Sequence, residues 1–126
     1  MRDEPIHQAI EKLFVEPLDL QREREFRHDD VVIDMPQSGE RILGRENFQA
    51  IQGAYPGAFP ITTVRRIIGS GNLWILEGTS TYQGRIYYVM AILEFREGKI
   101  AHETRYYVDP LLAPSWRSQW VEKTAS

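Results

Sequence analysis

A chain of 126 residues is the length of one domain, and with no cysteine it excludes a disulfide framework, thiolate chemistry and Cys-ligated metal. Fifteen Lys and Arg against eighteen Asp and Glu leave a formal charge of −3 with no basic block, so nucleic acid, which needs a clustered positive face, is not expected as a partner. No apolar run approaches the ~20 residues that span a bilayer and none resembles a signal peptide, so no membrane partner is expected and the expected location is cytoplasmic.

Residues 5–15, PIHQAIEKLFV, put Ile6, Ile10, Leu13 and Phe14 at helical spacing, with Asp3 a candidate N-cap and Pro5 in the first turn. Pro17 interrupts this helix. Asp19 can cap a second one carrying Leu20, Glu23, Phe26 and Arg27, whose charges read as a solvated face ending at His28-Asp29-Asp30. Val31 to Met35 reads as a short strand; Pro36, Ser38 and Gly39 turn the chain, and Arg41 to Leu43 can pair back. Beyond Gly44, ENFQAIQGAYPG reads as a helix presenting Phe48, Ile51 and Tyr55 to the core until Pro56-Gly57 ends it.

Residues 61–69 predict a strand, and Gly69-Ser70-Gly71-Asn72 a turn rather than a phosphate loop. Residues 73–109 then predict three long antiparallel strands with tight turns at Gln83-Gly84 and Glu97-Gly98, where glycine supplies a positive φ. Asp109-Pro110 reads as the N-cap and first position of a C-terminal helix. Leu111 and Leu112 follow, and Trp116 and Trp120 would share one helical face and fasten the tail to the domain or to a partner. The order predicts a single α+β domain, 1–126, with helices on one face of a bent antiparallel sheet.

Two segments, FRHDDVVIDMPQSGERILGRENF and EFREGKIAHETRYYVDP, the second continued by LLAPSWRSQWVE, resemble in this order the SnoaL-like, polyketide cyclase-related branch of the nuclear transport factor 2-like superfamily. The resemblance implies a cone-shaped curved antiparallel sheet wrapped around N-terminal helices, the cystatin-like or nuclear transport factor 2-like fold. It also implies a pocket at the open end and a homodimer through the convex sheet face. One such fold hosts many functions. The proton-abstracting Asp of isomerase relatives falls at Met35, with Asp34 one residue earlier and pointing the other way. Their oxyanion-binding Asp falls near Ala91, and the last-strand Asp of epoxide-hydrolase relatives falls at Tyr106. These departures argue against steroid enolisation and epoxide opening.

Hairpin arithmetic predicts an inward face. A two-residue turn at Glu97-Gly98 pairs Phe95 with Ile100, Leu93 with His102, Ala91 with Thr104 and Val89 with Tyr106, and alternation puts these on one side. The apolar members make it the helix-facing side, lined by His102, Thr104 and Tyr106. A two-residue turn at Gln83-Gly84 adds Trp74, Leu76 and Gly78, whereas a three-residue turn brings Glu77 inside, so the face of Glu77 stays open. The other face would carry Tyr88, Met90, Ile92 and Tyr107 with Glu94, Glu103 and Arg105. That is too apolar for water and reads as the homodimer interface.

On this reading His102 and Tyr106 form a catalytic pair, since imidazole titrates near neutrality and a phenol can donate to an enolate. Met35, Tyr55, Trp74, Leu76, Val89, Ala91, Leu93 and Thr104 would contact the ligand. The expected function is binding of a small apolar organic ligand, with cyclase, isomerase or dehydratase action on a carbonyl or polyketide-like compound. The alternative is a non-catalytic ligand-binding or protein-interaction module, with His102 a satisfied structural histidine and Tyr106 a wall. The histidines and carboxylates show no metal-ligand spacing, and neither a metal nor another cofactor is expected.

Overall fold

Local turn chemistry sets the sheet. A computed structural model describes residues 3–15, 19–56 and 61–124. The expected cap by the Asp3 side chain, the break at Pro17 and the helix end at Gly57 lie outside the described residues. Helix α1 (Asp3–Val15) is followed by α2 (Leu20–Phe26), whose first turn is capped by Asp19 Oδ1 accepting from the Gln21 and Arg22 amides. Strands β1 (Arg27–Met35) and β2 (Glu40–Leu43), helix α3 (Arg45–Gly53), and strands β3 (Ile61–Ser70), β4 (Leu73–Tyr82), β5 (Arg85–Arg96) and β6 (Lys99–Val108) complete the order.

The strands form one curved, unclosed sheet in the order β2-β1-β6-β5-β4-β3, antiparallel except for the β1–β6 pair. Both expected hairpin turns have two residues, because Tyr82 pairs with Arg85 and Arg96 with Lys99. Gln83-Gly84 and Glu97-Gly98 all have positive φ, between 51° and 81°, the twist a two-residue hairpin needs. The helices lie on one face. Helix α1 crosses β3, while α2 and α3 sit on β1. Between them lies one apolar core of Ile6 and Ile10, Val31 and Ile33, Phe48, Trp74 and Leu76, Val89 and Leu93, and Phe95 and Ile100. This is the α+β cone expected from the sequence.

Three local expectations are corrected. The charged second helix is not wholly solvated, since Glu23 is 3% and Arg27 1% exposed. Ile51 is 48% exposed and leaves the α3 core face to Phe48. No α-helix starts at Asp109; the chain stays irregular until a 3-10 helix at Ser115–Trp120, and Asp109 Oδ1 accepts from Arg85 Nη2 at 3.1 Å instead of capping. Pro114 explains the last point: it clashes with the helix that Pro110 would open and pushes the residue before it into extended backbone.

The β4–β5 register is the expected one, with Trp74 opposite Leu93, Leu76 opposite Ala91 and Gly78 opposite Val89. Glu77 therefore lies on the outer face, where it pairs with Met90 and accepts from Arg66 Nε at 2.6 Å. The β5–β6 register starts as expected at Phe95–Ile100 and then slips. Beyond the slip Glu94 faces His102, Leu93 faces Glu103, Ala91 faces Arg105 and Val89 faces Tyr107. Ala101 is the extra residue of a β-bulge, and such a bulge exchanges the faces of everything beyond it. The irregularity is shared by the neighbouring pair, since the β1–β6 ladder jumps from Arg27–Ile100 to Val32–His102.

His102, Thr104 and Tyr106 thus share the outer face with Glu94, Ile92 and Met90. Their expected place under the helices is corrected. Glu103, Arg105 and Tyr107, expected outside, take the inner one.

Candidate functional site

The inner face of β6 meets the α2–β1 junction in a chain of buried charges. Arg27 ends α2 one helical turn after Glu23, and its Nη1 binds the Glu23 carboxylate. Glu103, 0% exposed, accepts from Arg27 Nε at 2.6 Å and from Arg105 Nε at 2.7 Å. The backbone is tied in as well, since Arg45 Nη1 donates to the Arg27 carbonyl at 3.0 Å. Two carboxylates and two guanidiniums balance to zero, which is what lets them survive burial. The rings of Phe14 and Phe48 close the network from the helix side, each 5.0 Å from the Arg105 guanidinium carbon; Phe48 lies 4.7 Å from that of Arg27. Planar, weakly hydrated guanidinium suits such stacking.

Burial alone would raise the Glu103 pKa. The charges of Arg105 and Arg27, with their hydrogen bonds, outweigh it and hold the carboxyl below its ordinary value. Burial would likewise lower Arg105, but the Glu103 charge and the Tyr107 phenol oxygen raise it. Neither group exchanges a proton near neutrality. Glu103 is spoken for on both oxygens and serves to aim Arg105.

Arg105 leads outward to the open end of the face. Its Nη1 lies 3.4 Å from the Tyr107 hydroxyl, and the Tyr107 amide donates to Gln37 Oε1 at 2.5 Å. Tyr55, just after α3, meets Tyr82 of β4 edge-to-face at 5.4 Å, and the Tyr82 hydroxyl donates to the Pro56 carbonyl at 3.0 Å. Burial raises the Tyr55 pKa, helped by the neighbouring phenols of Tyr82, Tyr107 and Tyr87. Tyr87 stands opposite Ser80 on the inner side, with Arg85 over its ring at 5.4 Å. Tyrosines from the α3 end, β4, β5 and β6 therefore converge where the inner face reaches solvent. The arrangement offers aromatic walls, phenol hydroxyls and the guanidinium of Arg105.

The outer face carries a different set. His102 Nε2 lies 2.8 Å from Asp34 Oδ2 and Nδ1 lies 2.7 Å from Glu94 Oε2. Asp34 also takes Arg41 through Nε at 2.5 Å and Nη2 at 3.1 Å. Hydrogen bonds from Arg41 and His102 bring the Asp34 pKa down to about 2. Arg41, Asp34, His102 and Glu94 thus form a charge row across β2, β1, β6 and β5, with both imidazole nitrogens held by carboxylates.

Of the expected ligand contacts, Trp74, Leu76, Val89, Ala91 and Leu93 lie on the inner face but are buried in the core, and Met35 packs against that core. Tyr55 joins the tyrosine cluster. Thr104 faces outward opposite Ile92, and Tyr106 outward opposite Met90, so neither is brought to the inner face with them. Glu23 and Arg27 read from the sequence as part of a solvated helix face, and Glu103, Arg105 and Tyr107 as part of the outer interface, so none of the five was expected at the inner site. The available signal was the i,i+4 spacing of Glu23 and Arg27 on a helix facing the sheet. Among the described residues no three His, Asp or Glu side chains group as metal ligands, and no helix is long and apolar enough to cross a membrane.

The geometry defines a nuclear transport factor 2-like cone, and comparison with solved structures agrees. An NTF-2 like protein of unknown function from Burkholderia xenovorans LB400 is 47% identical with a TM-score of 0.88, the match covering 99% of each chain. The chain belongs to the NTF2-like family. A proposed ketosteroid isomerase from Kribbella flavida DSM 17836 shares the fold at 23% identity and a TM-score of 0.84, over 98% of this chain and 92% of that one. A proposed SnoaL-like polyketide cyclase from Jannaschia sp. CCS1 does so at 12% identity and a TM-score of 0.68, over 79% and 83%. No protein-family model matches the sequence, and no curated protein matches it.

Proposed function

We propose that this chain binds a small, largely apolar organic compound at the tyrosine-lined end of the inner face. Arg105 is the polar anchor, and acid–base chemistry by His102 and Tyr106 plays no part. The observation that carries this is the Arg105 guanidinium. Glu103 aims it from behind, two phenylalanine rings flank it, and it reaches toward Tyr107 at the open end. A half-buried cation fixed in advance suits a carbonyl, phenolate or carboxylate oxygen on an aromatic or polyketide-like body. The carboxylate behind this anchor, Glu103, is held ionised between two guanidiniums with both oxygens occupied, which favours binding over enolisation.

The same proposal includes a homodimer through the outer sheet face, where Ile86, Tyr88, Met90 and Val108 are exposed.

Equilibrium dialysis against a panel of aromatic ketones and phenols tests the site. Tyr107→Phe and Tyr87→Leu should weaken binding at least about fivefold, the equivalent of one lost contact of ~1 kcal/mol. His102→Ala should leave it unchanged. Loss of binding in His102→Ala with no effect of the two tyrosine changes would move the site to the other face and overturn the proposal.

A further inference from the structure

Among the described residues, the segment after β6 carries the most exposed large apolar side chains. Leu111 is 88%, Leu112 96%, Trp116 74% and Trp120 73% exposed. Such residues are interface material, and a cluster of four in one short arm is not surface scatter. We infer that this arm crosses to a second copy of the chain and packs on that copy's outer sheet face, each arm covering the other's sheet. The inference rests on the sheet-face dimer proposed above and adds what seals it.

Several observations select a second copy as the occupant. The arm leaves β6 at Val108, which stands on the outer face opposite Tyr88, so the apolar patch and the arm are continuous. Patch and arm are both uncovered on the same molecule, and a two-fold axis lets each satisfy the other at once. Reach is sufficient. Residues 109–114 span up to ~20 Å and the 3-10 helix at Ser115–Trp120 adds ~12 Å, against ~10 Å between stacked sheets and ~5 Å between strands. Area is sufficient too. The four large side chains expose roughly 600 Å² per arm, so two arms half-covered with their receiving surfaces reach about 1,200 Å², where stable interfaces begin. The arm is also partly ordered in advance. Pro110 and Pro114 hold it extended, and Arg85 grips its root at Asp109, which lowers the entropy lost on docking.

The chain's lack of cysteine permits a direct test with full-length protein. Leu112→Cys in one preparation is mixed with Tyr88→Cys in another and mildly oxidised. A disulfide-linked heterodimer is expected, well above the level given by an exposed control, Gln83→Cys mixed with Leu112→Cys. In the double variant, a disulfide formed only within one chain would place the arm on its own sheet and overturn the inference. Sedimentation equilibrium separates this from the dimer itself. Trp116→Ser with Trp120→Ser should weaken dimerisation at least tenfold. A native chain that stays monomeric at high concentration removes both the dimer and the arm exchange. A dimer unaffected by the two changes, with no cross-link, removes the exchange alone.

Discussion

His102 stands across the strand from Glu94, with Nδ1 2.7 Å from its carboxylate, and on its other side Nε2 is 2.8 Å from Asp34. Had the hairpin run without a bulge, the same imidazole would sit beside Leu93 under the helices. One residue, Ala101, separates a candidate catalytic histidine from a structural link in an outer charge row.

That row sets part of the acid limb of stability. The Asp34 pKa is about 2 in the fold, below the ordinary 3.8, because Arg41 and His102 hydrogen-bond the ionised form. A carboxyl whose folded pKa is depressed contributes stability that is present above 3.8 and is lost as pH falls toward about 2. Asp30, lowered by Arg96, acts in the same direction. Acid titration followed by circular dichroism should show a shallower loss between pH 4 and 2 in Asp34→Asn than in the parent. Identical limbs would mean that the row contributes nothing.

Deleting Ala101 restores an unbroken β5–β6 ladder on paper. It would drive Glu103 and Arg105 to the outer face and leave Arg27 buried with Glu23 but without its Glu103 hydrogen bond. The expected outcome is loss of the cooperative fold, read as collapse of amide dispersion in a two-dimensional NMR spectrum. A well-dispersed native-like spectrum would show that the bulge is not required.

Removing the Glu103 carboxylate exposes how the buried charges depend on one another. Glu103→Leu leaves two guanidiniums facing apolar surface with one remaining carboxylate, and breaking such a network costs about 3–5 kcal/mol. Against the ~5–15 kcal/mol that domains possess, this brings the chain near unfolding, measurable as a lower urea midpoint. A change below 1 kcal/mol would mean that water already reaches the site.

Two glycines should respond with opposite signs. A Cβ at Gly78 would lie 2.2 Å from the Thr63 carbonyl oxygen, because the bulge in β3 presses that backbone onto β4. Gly78→Ala should therefore cost about 1–3 kcal/mol in overpacking. Gly53, at the end of α3, has open space around its Cβ position, and Gly53→Ala should be neutral or stabilise by up to ~1 kcal/mol. Thermal unfolding of the pair checks both, and equal effects would contradict the packing described.

Much of the architecture was already legible in the amino-acid order, because the forces that set it are local. Helical spacing of Ile6 and Ile10, Asp19 as a cap, the two hairpin glycines and the β4–β5 register each depend on residues a few positions apart. What only the tertiary structure decided is where distant segments disagree. The face of His102 and Glu103 depends on a bulge at Ala101, where the β1–β6 ladder is broken as well. The burial of Arg27 depends on Glu103, 76 residues away. A charge at a helix end reads as solvated until its counter-charge is brought to it, and no local pattern encodes that meeting.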